Sequence, residues 1–146
     1  MNFSEIEIFE IARLIKEEEK HFLEKVKNHL SSIEKISRKI ENLMLFYARQ
    51  EKQKKRERKI CNYIDNEETL AYLKENFADI LAFSKRDFTH ASAQEIILFW
   101  LDTHKKVLDF FDNLLHSTSD ADLQTDIQTI IAKEQEWKQT LQEEIS

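Results

Sequence analysis

The sequence predicts an all-α protein, an up-and-down bundle of four long helices with a helical crossover between the second and third. Three observations lead there. The 146 residues include neither Gly nor Pro, which removes the left-handed turn positions and ring-fixed corners that sheets, hairpins and barrels rely on. Apolar residues recur at spacings of three and four along most of the chain, the period of an amphipathic helix. The tracts that interrupt this period are few and short.

Ile8, Ile11, Ile15, Phe22, Val26 and Leu30 mark one face of a first helix over about residues 3–30, with Ser4 as its cap. Ser31-Ser32 is the first break. Ser32 can cap a second helix whose stripe reads Ile36, Ile40, Leu43, Tyr47 and, later, Cys61, ending near Asp65-Asn66. Between 67 and 89 the pattern shortens; Leu70, Tyr72, Leu73, Phe77, Ile80 and Leu81 suggest a short crossing helix. Ser92 opens a third long helix with the face Ile97, Leu101, His104, Leu108, Phe111 and Leu115. The tract 116–120, His-Ser-Thr-Ser-Asp, is rich in cap and turn formers and reads as a loop. A fourth helix over about 122–145 turns Leu123, Ile127, Ile130, Trp137 and Leu141 inward. At about 1.5 Å per residue each long helix spans roughly 35 to 45 Å, so the four pack with matched lengths.

Composition limits the function. The length suits one domain over 1–146, and 41% hydrophobic residues can line one bundle core. No run approaches the roughly 20 apolar residues of a spanning helix. The N-terminal MNFSEIEIFE is acidic and amphipathic where a secretory signal is basic and then apolar. A cytoplasmic location is expected. Cys61 is the only cysteine, which excludes an intrachain disulfide and a multi-cysteine zinc site. A formal charge of -6 argues against a general nucleic-acid binder. The exception is a basic concentration of Arg49, Lys52, Lys54, Lys55, Arg56, Arg58 and Lys59, which winds around all sides of a helix and reads first as a solvated helix end.

The apolar stripes are interrupted at one level. Glu18 and Glu19 fall between Ile15 and Phe22, Glu51 and Lys54 follow Tyr47, His104 sits between Leu101 and Leu108, and Glu134 between Ile130 and Trp137. Any one of these can be a stripe-edge side chain reaching water. Four at one level imply an ion-pair network or a metal, because buried charges are costly unless compensated.

The same positions resemble the ferritin-like carboxylate proteins, and within them the rubrerythrin-like branch. The first helix carries Ile11-Ala12 and then Phe22-Leu23; the third carries Trp100 and then Phe110-Phe111. The second carries Phe46-Tyr47-Ala48 before Glu51, and the fourth Ile130-Ile131-Ala132 before Glu134. The resemblance implies a Glu from the first and third helices and a Glu-x-x-His from the second and fourth, holding two irons. Lys16 and His104 stand at the first pair of positions, and Lys54 and Trp137 replace the two histidines. An ammonium has three donors and no lone pair. Lys16 and Lys54 are therefore read as internal counter-ions to Glu51 and Glu134. A one-metal remnant, iron or manganese, on Glu18 or Glu19, Glu51, His104 and Glu134 is the alternative ligand set.

His21, His29, His90 and His116 share no spacing that places two beside a carboxylate, and no phosphate loop, nucleophile elbow or Cys–His pair is present. Trp100 and Trp137 read as packing residues. The expectation is a ferritin-like module, a homodimer with room for a protein partner, that has lost a complete di-iron centre and serves a binding or structural role. Its rival is a metal-dependent redox enzyme acting on peroxide or oxygen. A third reading is an anion or nucleic-acid binder using the basic tract.

Overall fold

The computed structural model describes residues 7–57, 67–81 and 86–143. All regular structure among them is helical: α1 (Ile8–Val26), a 3-10 turn (Lys27–His29), α2 (Ile33–Arg56), α3 (Glu67–Leu81), α4 (Ala93–Ser117) and α5 (Ala121–Glu143). None of these helices is long and apolar enough to cross a membrane.

Local chemistry sets the ends. Glu7, in extended conformation, caps α1 by accepting the Phe9 N–H at 2.7 Å. Ser4, the expected cap, lies outside the described residues. Ser32 precedes α2, yet its hydroxyl makes no cap hydrogen bond. Ser92 accepts the Glu95 N–H at 3.1 Å, an N-cap, and its hydroxyl donates to the Glu95 carboxylate at 3.3 Å. Asp120 accepts the Leu123 N–H at 3.0 Å, so α5 starts slightly earlier than its apolar pattern indicates.

Pairs across the helices give their directions. Glu10 meets Lys55 and Lys20 meets Glu41, so α1 and α2 are antiparallel. Trp100 meets Trp137 and His104 meets Glu134, so α4 and α5 are antiparallel. Tyr47 meets Glu134 and Lys35 meets Glu143, which sets α2 antiparallel to α5 and thus parallel to α4. The chain must therefore return along the molecule between α2 and α4. Helix α3 makes that return, running antiparallel to α4 with Tyr72 beside Asn113 and Phe77 stacked on Phe110.

Two apolar clusters fill the interior. One joins Ile8, Ile11 and Ile15 to Tyr47, Phe77, Phe110, Phe111 and Ile127. The other joins Phe22 and Val26 to Ile36, Ile40, Trp100, Trp137 and Leu141. A polar layer lies between them. The inward face of α4 matches expectation in part: Ile97, His104 and Phe111 are buried, whereas Leu101, Leu108 and Leu115 are half-buried, and Ile96, Trp100, Thr103, Val107, Phe110 and Leu114 are buried as well. The cause is α3, whose Tyr72 and Phe77 cover Phe110 and widen the buried arc beyond what four helices alone require.

Candidate functional site

Lys16 is 0% exposed at the middle of α1. Its ammonium lies 2.6 Å from Glu19 Oε2 and 2.5 Å from Glu134 Oε1. The first contact follows from helix geometry, since residues three apart share a face. The second ties α1 to α5. Each carboxylate then receives further donors. Glu19 Oε1 accepts the indole N–H groups of Trp100 at 3.4 Å and Trp137 at 3.3 Å. Glu134 Oε2 accepts the Tyr47 hydroxyl at 2.6 Å, and its Oε1 faces His104 Nε2 at 3.2 Å. α1, α2, α4 and α5 all contribute to one layer.

The electrostatics agree with these contacts. Burial alone would depress the Lys16 ammonium, but Glu134 and Glu19 outweigh it and raise it. Burial would raise Glu134, but Lys16 and His104 hold it well below the usual carboxylate range. Desolvation and the Glu134 charge push the Tyr47 phenol well above its ordinary value, so it stays protonated and donates. The layer is thus an ionic network with every carboxylate oxygen occupied.

These contacts do not fit a metal ion. Lys16 fills the space between the carboxylates and offers no lone pair. Nε2 of His104 faces an acceptor and so carries the proton, leaving Nδ1 buried without a hydrogen-bond partner among the described residues. Among those residues no group of three or more His, Cys, Asp or Glu side chains is placed to hold a metal.

Of the residues singled out by sequence, Lys16, Glu19, His104 and Glu134 meet in this layer. Glu18, rotated about 100° from Glu19 around the helix, is half-buried outside it. Glu51 lies about one turn beyond Tyr47 on α2, bonded to Arg13 at 2.8 Å and Lys55 at 2.9 Å. Burial opposes its ionisation, but these two cations prevail and lower it. Lys54 stands 3.6 Å from Asp126 rather than beside Glu134, which Lys16 compensates instead. The second helix therefore reaches the layer through Tyr47, not through Glu51 or Lys54. Sequence reasoning placed Tyr47, Trp100 and Trp137 in the core but missed their donor roles. Nothing short of the fold distinguishes a packed indole from one aimed at a carboxylate.

Glu7 is a second residue missed. It is buried, its Oε1 has no hydrogen-bond partner among the described residues, and desolvation pushes its carboxyl up to about 8. The charges of Asp126 and Glu51 add to the rise. His21, His90 and His116 are exposed and His29 half-buried. Cys61, Arg58 and Lys59 lie outside the described residues.

Compared with known proteins, the chain matches no family model, no curated protein and no solved structure.

Proposed function

We propose that this chain is a ferritin-like four-helix bundle, dimeric and cytoplasmic, in which a lysine has taken over the charge-balancing role of a metal centre. It acts as a binding or structural module rather than as an oxidoreductase. The observation that carries this reading is Lys16, enclosed at 2.6 and 2.5 Å by Glu19 and Glu134. The helix order supports the same reading, with two antiparallel hairpins joined by α3 so that α2 and α4 run parallel. So does the convergence of Lys16, His104, Glu134 and Trp137, the positions that resemble ligand positions on three of the helices. The second helix departs, since Glu51 and Lys54 engage Arg13, Lys55 and Asp126 instead.

A redox centre needs open coordination positions and carboxylates that bridge or neutralise metal charge. Here the two carboxylates share one ammonium and are saturated by indole, phenol and imidazole donors. Elemental analysis of protein grown with added iron and manganese tests the reading. The expected result is metal far below stoichiometry, and about one iron or manganese ion per chain, removable by chelator, would favour the peroxide- or oxygen-dependent enzyme instead.

A further inference from the structure

We infer that the outer face of α2, from Leu45 to Arg56, docks an acidic amphipathic helix of another protein. This rests on the binding role proposed above, for which it supplies the partner's chemistry, and is independent of the buried network. The basic residues along α2 wind around the whole helix, but the fold divides them. Lys54 turns to Asp126, and Lys55 to Glu10 and Glu51. Arg49, Lys52 and Arg56 are exposed and make no ion pair among the described residues. Lying three and seven residues apart, they share one face and line one shallow concavity with Gln53 and Glu57. Glu57 accepts the Gln53 amide at 3.2 Å. Three cations against one carboxylate leave the patch at a net +2, on a chain whose formal charge is -6.

The layout of this charge points to the occupant. Along α2 the three cations stand at roughly 0, 4.5 and 10.5 Å, and carboxylates at i, i+4 and i+7 of an antiparallel helix stand at the same offsets. Two of the cations are arginines, whose planar forks match carboxylates bidentately. Leu45, 54% exposed, lies one turn before Arg49 on the same face and offers such a helix an apolar anchor beside the charged row. A nucleic acid fits this face less well. Duplex phosphates recur about every 1.7 Å of axis and run on past a stripe of about 10 Å, over a surface with an excess of acids. No aromatic side chain lines the patch to stack on an unpaired base. An exposed leucine also gains nothing from phosphate.

Fluorescence anisotropy tests the surface, using the full chain and a labelled alanine-based helical peptide with glutamates at i, i+4 and i+7 and a leucine at i+11. The wild type is expected to bind this peptide, to lose at least about tenfold in affinity as salt rises to about 0.3 M, and not to bind the same peptide carrying glutamines. Arg49→Gln and Arg56→Gln should each weaken binding about three- to tenfold, and Leu45→Ala should weaken it equally at low and high salt. Lys35→Gln, near the other end of α2 and paired with Glu143, should leave it unchanged. All four sites are exposed, so circular dichroism and the melting temperature are expected to stay near wild type. A wild type that does not bind the peptide, or binding that Arg49→Gln and Arg56→Gln leave intact, overturns the docking surface, while metal content still decides the proposed function. Tighter binding of a duplex or single-stranded oligonucleotide through the same arginines overturns it in favour of nucleic acid.

Discussion

Lys16 is a residue whose surroundings invert its usual behaviour. An ammonium is normally kept in water, and burying one costs several kcal/mol unless carboxylates are close. Here two are, and each in turn depends on the lysine. Lys16→Met keeps the volume and the helix propensity but leaves Glu19 and Glu134 facing each other without a cation. We expect it to lower the unfolding free energy by about 3–5 kcal/mol in urea denaturation. Adding Glu134→Gln to that variant should recover part of the loss, because one of the stranded charges is then gone. Equal stability of Lys16→Met and wild type would show that the ion pair is not what stabilises the layer.

The helices owe their ends to a few polar side chains, since no Gly or Pro is available to stop them. α4 begins at Ser92, whose hydroxyl both accepts from and donates to Glu95. Ser92→Ala removes that cap at an exposed site and should cost about 1 kcal/mol, read as a small fall in melting temperature. A loss much larger than this would mean that Ser92 contributes beyond its own helix. Element boundaries were legible where such signals exist: Ser92 and the inward set Leu123, Ile127, Ile130, Trp137 and Leu141 match the structure, whereas the 116–120 loop is shorter than its composition indicates, because α4 continues through Ser117. The face of α4 was less legible. Its stripe reads the same whether two or three neighbours cover it, and the docking of α3 through Tyr72 and Phe77 is what covers Phe110.

For the whole molecule, two buried carboxyl groups act in opposite directions on stability against pH. The depressed Glu134 contributes stability that is present above 4.5 and lost as pH falls through its folded value. Glu7 is raised, so its contribution is present below 4.5 and lost as pH rises towards about 8. Glu7→Gln retains a carbonyl to accept the Phe9 N–H and removes the ionisation. It should match wild type near pH 4.5 and exceed it by about 5 kcal/mol at pH 9. Parallel stability curves for the two proteins across that interval would show that Glu7 does not titrate as its burial requires.

The sequence by itself determined the helical class, the number of long amphipathic stretches and the existence of a polar level halfway along them, because these depend on residue type and on a period of 3.6. It also singled out Glu19, His104 and Glu134, which interrupt otherwise apolar stripes, and Lys16 through the family resemblance of its position. Only the tertiary structure decided which charge answers which. Glu51 and Lys54 lie on the same helix as Tyr47, yet helix rotation and axial offset hand Glu51 to Arg13 and Lys55, Lys54 to Asp126, and Tyr47 to Glu134. A shift of one helical turn, about 5.4 Å, would exchange those partners without altering any one-dimensional pattern. Pairing distances arise from how helices are set against one another, which periodicity within a single helix does not encode.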